Sequence, residues 1–380
     1  FIVLGVGCLK GNISSMVGGL YEKLANDKRD MGFYIFYMGI NIGAAAASLI
    51  VGYVGEEQGW HYGFGLAGIG MAIGQLFYWR GQKYLSHVGN VIKTEKKSSA
   101  GSNLIFKIFE KSNSTLGFAL TVAFGLLIYF YWGSWTYGLL VIGLAFAVGI
   151  ALVIYNDGSK IEKDRILVTY IAFLMIIVFW GAFEQAGGLL NLYAKQKTDL
   201  VLSESFTVPA SWFQSLNAIF IIIFASVVGS FWIWWQNKGK EYSAILKMAI
   251  GVIIMGWGFF FMSAASTEIQ YDSAGEIVGK SAMYWLVLAY LFHTIGELCA
   301  SPVALSFITK LSPARWSAFM MGAYFAVTGL GNKVAGLIGE NASEVGEFWI
   351  FTGIAIFCTI FGILFLFLVK PLKRLIHNAE

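Results

Sequence analysis

The run AMYWLVLAYLFHTIGELCASPVALSF, residues 282–307, is long and apolar enough to cross a membrane and yet contains an acid. A membrane helix needs about 20 apolar residues to span a hydrocarbon core ~30 Å thick. A charged residue at the centre of such a helix costs roughly 2.5–3.5 kcal/mol. Glu297 therefore indicates an ion or substrate pathway through a membrane protein. Lys10 and Glu184 also interrupt apolar runs and indicate the same.

The composition of the chain is that of an integral membrane protein. Hydrophobic residues make up 57% and charged residues 13% of 380 residues, against about 45–50% and about 25% in soluble domains. The alternating segments of about ten residues that mark membrane-spanning strands are absent from the sequence. The sequence therefore predicts an all-α polytopic protein with about eleven crossings. The apolar runs are 1–20, 33–54, 62–80, 116–132, 136–154, 166–190, 210–235, 244–264, 282–308, 316–339 and 347–369.

Basic residues are concentrated in alternate loops. Most of the 26 lysines and arginines fall in one set of loops, for example 80–111 and 370–374, whereas the other set is acidic around Glu56 and Glu268. Since cytoplasmic loops are enriched in basic residues, we expect a cytoplasmic C-terminus. Eleven crossings then put Phe1 outside, and the chain begins within an apolar run without a methionine. We therefore expect an odd number of further spans before Phe1.

The sequence favours a transporter over an enzyme, a metalloprotein or a nucleic-acid-binding protein. Ser301 has Glu297 and Cys299 near it in sequence, which is not a nucleophile paired with a base. His293 and Glu297 share a helix face, but nothing supplies a third metal ligand, so we interpret His293 as a structural residue hydrogen-bonded to Glu297. No basic module for nucleic acid is present. We expect no cofactor and no metal; Cys8, Cys299 and Cys358 are interpreted as packing residues.

Three parts of the sequence resemble the proton-dependent oligopeptide transporter family of the major facilitator superfamily. GELCASPVALSFITKLSPARWSAFMMGAYFAVTGLGNKVAG, residues 296–336, resembles the tenth and eleventh core helices of the family. LKGNISSMVGGLYEK (9–23) with FYIFYMGINIGA (33–44) is similar to the fourth and fifth, and FWGAFEQAGG (179–188) to the seventh. The three matches occur in the family's order along the chain.

The resemblance implies a domain organisation. Residues 1–83 would be the remnant of an N-terminal half-bundle with core helices four to six, and 84–160 a cytoplasmic linker with the inserted transmembrane hairpin of bacterial members. Residues 161–380 would be the C-terminal six-helix half-bundle. Helices one to three, which carry the family's ExxERFxYY motif, are not in the sequence, so a transport-incompetent remnant remains one alternative.

The resemblance also implies the site residues and the function. Lys10 would engage the carboxylate of a peptide and Glu297 its amino terminus, while Lys10, Glu184 and Glu297 would couple transport to protons. Tyr324 stands where many members have tryptophan. The full set of substrate-binding positions implied by the resemblance is Lys10, Tyr37, Asn41, Trp180, Phe183, Asn217, Glu297, Ser301 and Tyr324.

The expected activity is import of di- and tripeptides with protons, by alternating access, across the bacterial plasma membrane. The partners would be peptides, protons and membrane lipid, with the proton gradient as driving force and no cofactor. Because plant relatives of the family carry nitrate, a transporter of another small anion or zwitterion is a second alternative.

Overall fold

The chain is mostly helical wherever its structure is described. A computed structural model describes Ile13, Met16 and Leu20 and residues 26–89, 158–312 and 317–377. Lys10 lies outside the described residues, as do the predicted crossings 116–132 and 136–154 and almost all of 1–20.

The described residues form a series of long helices, as predicted. Six helical segments are long and apolar enough to cross a membrane, at Ile35–Glu57, Lys160–Lys197, Trp212–Asn237, Ala244–Thr267, Met283–Ile308 and Glu347–Leu375. The prediction of an all-α polytopic membrane protein is thereby confirmed. The α-helices are α1 (Asn26–Ala46), α2 (Gly52–Glu57), α3 (Trp60–Gly89), α4 (Lys160–Phe183), α5 (Leu189–Lys197), α6 (Trp212–Asn237), α7 (Ala244–Thr267), α8 (Met283–Leu311), α9 (Ser317–Val345) and α10 (Glu347–Leu375).

Two of the predicted crossings are not regular α-helices throughout. A π-helical segment, Ala47–Val51, joins α1 to α2, and its last hydrogen bond runs from the backbone N–H of Gly52 to the carbonyl of Ala47. The predicted span 166–190 ends as an α-helix at Phe183 and continues as a 3₁₀ turn, Glu184–Ala186, before α5 begins. Gly187 and Gly188 separate this 3₁₀ turn from α5. Glycine destabilises a helix interior by about 1 kcal/mol relative to alanine, which favours an interruption of the helix here.

The described residues divide between two compact units. The first takes in the described parts of 1–90, 177–304 and 331–367, and its core contains Phe259, Tyr290 and Phe351, all almost fully buried. A Cβ atom on Gly251 of α7 would lie 2.7 Å from the carbonyl oxygen of Gly296 in α8. The two helices therefore approach backbone to backbone next to Glu297, which fixes the part of α8 that carries this acid.

The second unit takes in the described parts of 91–176, 305–330 and 368–380. In this unit, polar contacts join the first turns of α4 to the residues that follow α10. Nε of Arg165 donates to the carbonyl of Ile376 at 3.0 Å, and Nε2 of His377 lies 2.7 Å from Oδ2 of Asp164. Thus the chain end after α10 is held against the first turns of α4.

Two short β-hairpins, which the sequence did not predict, occupy loops expected to lie outside. β1 (Val201–Ser203) pairs antiparallel with β2 (Phe206–Thr207), and Val201 is opposite Thr207. β3 (Gln270–Tyr271) pairs antiparallel with β4 (Ile277–Gly279), and Gln270 is opposite Gly279. Each strand has two or three residues, so the hairpins connect helices and do not form a layer.

Candidate functional site

Glu297 is the centre of a hydrogen-bond network that joins three helices. Its side chain is buried within α8. The hydroxyl of Tyr37, from α1, donates to Oε1 at 3.0 Å, and Nδ2 of Asn217, from α6, donates to Oε2 at 2.7 Å. Buried carboxylates need such partners, because an unpaired polar group in a low-dielectric interior is costly. Two residues that the sequence named separately, Tyr37 and Asn217, therefore both contact a third, Glu297.

Two neighbours extend this network. Nδ2 of Asn217 also donates to Oγ1 of Thr294 at 3.1 Å, and the Thr294 hydroxyl donates to the carbonyl of Tyr290 at 2.7 Å. An amide nitrogen carries two hydrogens, so Asn217 can serve both acceptors of α8. Thr294 was not predicted, although it lies three residues before Glu297, a spacing that puts both side chains on one helix face.

Asn41, the other predicted amide, is buried one turn after Tyr37 on α1. Its Nδ2 donates to the backbone carbonyl of Tyr37 at 2.9 Å. Because this bond anchors the amide nitrogen to its own helix, Asn41 stands beside the network and supports the turn of α1 that presents the Tyr37 hydroxyl.

The predicted aromatic pair lies at the end of α4. Trp180 and Phe183 are half-buried, with ring centroids 5.3 Å apart in an edge-to-face arrangement. A Cβ atom on Gly331 of α9 would lie 2.6 Å from Cβ of Trp180, so α4 and α9 are in close contact there. Glu184 follows directly, half-buried, as the first residue of the 3₁₀ turn.

Ser301 and Tyr324 are the remaining predicted residues in the described part of the chain. Ser301 is half-buried on α8, one turn after Glu297 and immediately before Pro302. Tyr324 belongs to the second unit, is buried, and packs edge-on against Phe325 with centroids 5.4 Å apart.

The predicted hydrogen bond between His293 and Glu297 is wrong. His293 is almost fully buried, and neither ring nitrogen has a hydrogen-bond partner among the described residues. Its ring packs against Phe259, with centroids 4.5 Å apart. The i, i+4 spacing places both residues on one side of α8, but the imidazole turns into the contact with α7.

The chemistry of the site is that of reversible binding. A buried carboxylate surrounded by hydroxyl and amide donors can take up and release a proton, or bind a cation by hydrogen bonds and charge. In the part of the chain that the structure describes, no group of three or more His, Cys, Asp or Glu side chains could hold a metal ion.

In an all-helical membrane protein, a buried carboxylate with several hydrogen bonds between helices marks a pathway for ions or substrates, as in transporters. The chain belongs to the POT family, whose model matches residues 1–348. This confirms both the family resemblance and the expectation of a major facilitator bundle, and it agrees with a transporter rather than an enzyme.

Two relatives of the chain are named as peptide transporters. The peptide transporter YePEPT of Yersinia enterocolitica is 34% identical over 400 aligned positions, covering 100% of this chain and 75% of the relative. The di-/tripeptide transporter of Lactococcus lactis subsp. cremoris is 32% identical over 395 positions, covering 100% of this chain and 76% of the relative.

Solved structures of the family have the same fold. The peptide transporter POT in complex with sulfate superposes with a TM-score of 0.78 at 31% identity, covering 98% of this chain and 74% of that chain. A POT family transporter in complex with 5-aminolevulinic acid superposes with a TM-score of 0.75 at 26% identity, covering 98% and 75%.

Proposed function

We propose that this protein is a proton-coupled symporter that imports di- and tripeptides across the bacterial plasma membrane by alternating access. The observation that carries the proposal is the hydrogen bond of 3.0 Å between Tyr37 and Glu297. It joins α1, in the segment 1–83, to α8, in the segment 161–380, at a buried carboxylate. The peptide-transporter names of the relatives supply the substrate class.

The proposed substrate is a zwitterion held at both ends. A peptide of any sequence has an ammonium group and a carboxylate, so a site that reads both needs one fixed charge of each sign. Glu297 would bind the ammonium group, and Lys10 would bind the carboxylate. Asn41 and Asn217 carry amides that can both donate to and accept from a peptide bond.

The walls around the peptide would be aromatic and would not select particular side chains. Trp180 and Phe183 already form an edge-to-face pair at the end of α4. Tyr324 and Ser301 complete the proposed binding set. Aromatic rings bury a large apolar area. A wall of this kind makes few hydrogen bonds to the peptide side chains, which suits a transporter that accepts many of them.

Proton coupling would follow from competition for the oxygens of Glu297. In the structure both oxygens accept hydrogen bonds, one from Tyr37 and one from Asn217. A protonated carboxyl group is a donor at one oxygen, so a proton there weakens one of these contacts. A peptide ammonium group would compete for the same oxygens. Either event would loosen the link between α1 and α8, with Lys10 and Glu184 as the other members of the coupling set.

Loosening of the contact between α1 and α8 would then let the protein expose the site to each side of the membrane in turn. We propose the segments 1–83 and 161–380 as the two halves that rock against each other, with 84–160 as linker and inserted hairpin. The basic loops would face the cytoplasm together with the C-terminus, since basic residues are enriched on that side.

The test is uptake of labelled dialanine into proteoliposomes under an inward proton gradient. We expect Glu297→Gln to abolish gradient-driven uptake while exchange of dialanine across the membrane without a gradient survives. Glu276→Gln, an exposed carboxylate in the loop between β3 and β4, is the matched control and should transport like the parent. Unchanged driven uptake by Glu297→Gln would contradict the proposal.

A second candidate is a transporter of small zwitterions other than peptides. It is favoured by the complex of a POT family transporter with 5-aminolevulinic acid, which has an amino group and a carboxylate in one small molecule. Competition distinguishes the two candidates: excess dialanine should block uptake of labelled aminolevulinic acid if peptides are the main substrate. Uptake of aminolevulinic acid without any uptake of dialanine would favour the second candidate.

A further inference from the structure

Three lysines lie over aromatic rings at the turn between α6 and α7, two in the turn and one on the first turn of α7. Gly239, with a φ of 68°, ends α6 in a left-handed turn, and Ser243 caps α7 by accepting a hydrogen bond from the N–H of Leu246. The turn therefore places Lys238 and Lys240 on either side of one glycine, and both side chains are exposed.

Each lysine lies over an indole or phenol ring. Nζ of Lys238 is 4.5 Å from the ring centroid of Trp234, and Nζ of Lys240 is 4.3 Å from that of Trp235. Nζ of Lys247, on α7, is 3.3 Å from the ring centroid of Tyr242 and 5.6 Å from that of Trp232. We call Lys238, Lys240, Lys247 and these four rings the lysine–aromatic turn.

These lysines have no ion-pair partner in the part of the chain that the structure describes. Among the described residues no carboxylate is within ion-pairing distance of Lys238, Lys240 or Lys247. Oε1 of Glu241, the acid in this turn, instead accepts hydrogen bonds from the backbone N–H groups of Tyr242 and Ser243. By contrast Lys197, at the end of α5, is paired with Glu347 at 2.5 Å.

The surface next to the lysines is apolar and exposed. Phe231, Ile233 and Trp234 on the last turns of α6 have 45%, 57% and 49% of their surface accessible. Exposed apolar side chains next to three lysines are suited to a ligand that has both an anionic group and a hydrocarbon part. Tryptophan and lysine are typical of the membrane interface, and lysines there attract anionic lipid.

We propose that the lysine–aromatic turn is a binding site for the headgroup of an anionic phospholipid, with the acyl chains lying along Phe231, Ile233 and Trp234. The phosphate would pair with Lys238 and Lys240, whose ammonium groups are held in place by cation–π contacts. In the orientation proposed above this lipid belongs to the inner leaflet. The site is independent of Glu297 and does not depend on which solute is transported.

The test is lipid titration of the purified chain in detergent micelles, followed by native mass spectrometry and thermal unfolding. Phosphatidylglycerol should bind and raise the unfolding temperature, whereas phosphatidylcholine should not. The variant Lys238→Gln/Lys240→Gln should lower the affinity for phosphatidylglycerol by at least about tenfold, since each lysine at an anionic surface contributes roughly a factor of five. The matched control is Lys195→Gln/Lys280→Gln, two exposed lysines, one on α5 and one directly after β4, and it should bind like the parent.

Three outcomes would overturn the proposal. They are full retention of phosphatidylglycerol by Lys238→Gln/Lys240→Gln, an equal loss in the control pair, and equal stabilisation by glycerol phosphate, which has no acyl chains. Lys247→Gln is a separate variant because this side chain is half-buried between two rings, and it should reduce lipid binding at a temperature where the variant is folded. Phosphatidylglycerol affinity equal to that of the parent in folded Lys247→Gln would exclude Lys247 from the site.

Discussion

The imidazole of His293 occupies the space that a side chain on Gly258 would need. A Cβ atom on Gly258 would lie 2.5 Å from Cδ2 and 2.7 Å from Nε2 of His293, and 3.1 Å from the carbonyl oxygen of Ala289. Glycine at 258 therefore lets α7 and α8 meet at the helix turn that precedes Glu297.

Gly258→Ala should destabilise the protein, because the backbone carbonyl of Ala289 and the buried ring leave no room for a methyl group. Overpacking of this kind typically costs about 1–3 kcal/mol. Thermal unfolding in detergent measures the effect. Gly229→Ala, on α6, is the control: among the described residues its added Cβ would meet no atom within 4 Å beyond the backbone of its own helix, so its unfolding temperature should be unchanged or higher. Equal unfolding temperatures for Gly258→Ala and the parent would show that α7 and α8 can separate at this point.

Tyr37→Phe should slow proton-driven uptake of dialanine while leaving the fold intact. The substitution removes the hydroxyl that donates to Oε1 of Glu297 and keeps the ring. A hydrogen bond to a charged group contributes about 1.5–3 kcal/mol, so we expect a loss of roughly tenfold or more in the initial rate. The matched control is Tyr62→Phe on α3, where the ring is 67% exposed. Equal rates for Tyr37→Phe and the parent would argue against a coupling role for this bond.

Glu56→Ala should increase hydrogen exchange at the start of α6. Oε1 of Glu56 accepts the backbone N–H of Ser211 at 2.9 Å, and the indole N–H of Trp212 donates to the carbonyl of Leu49 at 3.2 Å. Loss of the carboxylate should increase exchange of the Ser211 amide by about tenfold, as expected for a hydrogen bond to a charged acceptor. Hydrogen–deuterium exchange read by mass spectrometry is the measurement. Glu57→Ala should leave this amide as in the parent, and equal exchange in all three proteins would mean that Glu56 does not hold the contact.

Glu268 should make the stability of the protein depend on acidic pH. Its carboxylate accepts the backbone N–H of Ala282 at 3.0 Å and the hydroxyl of Tyr284 at 3.2 Å. The bond from Ala282, followed by smaller contributions, lowers the pKa of Glu268 below its ordinary value of 4.5. A group with a lowered pKa in the folded state stabilises that state above its unfolded pKa, and the contribution is lost as the pH falls through the folded pKa.

We therefore expect the parent to unfold at a higher temperature than Glu268→Gln at pH values well above 4.5, the ordinary pKa of this carboxyl group, with the gap closing as the pH falls below it. Glu276→Gln, from the same loop, is the control and should follow the parent at each pH. A gap between parent and Glu268→Gln that stays constant with pH would contradict the assignment of the effect to ionisation of Glu268.

The long helices were predictable because an apolar run of membrane length has few other ways to satisfy its backbone. The run 282–308, for example, corresponds to the structural helix Met283–Leu311. The two β-hairpins were missed because strands of two or three residues are too short to show a period. The π-helical segment was missed because Ala-Ser-Leu-Ile-Val favours no particular helix type, and its geometry depends on contacts such as the one from Trp212 to Leu49.

The sequence proposed the site residues one by one, and their roles in binding and coupling stay predictions; the hydrogen-bond network that joins three of them was not predicted. The resemblance to the family named Tyr37, Asn217 and Glu297, whereas their mutual contacts depend on packing between helices up to 260 residues apart. His293 shows the opposite case. Its spacing from Glu297 was favourable for a hydrogen bond, but the absence of a side chain at Gly258 gave the imidazole a different place to lie.

The π-helical segment also sets the rotational phase between two contacts on one continuous stretch of helix. Tyr37 lies before Ala47–Val51 and reaches Glu297, whereas Glu56 lies after it and reaches Ser211. A π turn holds one more residue than an α turn, and each residue of an α-helix advances by about 100° around the axis. Removal of one alanine from the run 44–47, if it restored α periodicity, would therefore leave both contacts in phase, whereas α periodicity with every residue kept would carry Glu56 about 100° away from Ser211. The π turn thus compensates for one residue of the segment between Tyr37 and Glu56, so that both contacts are made from one continuous stretch of helix.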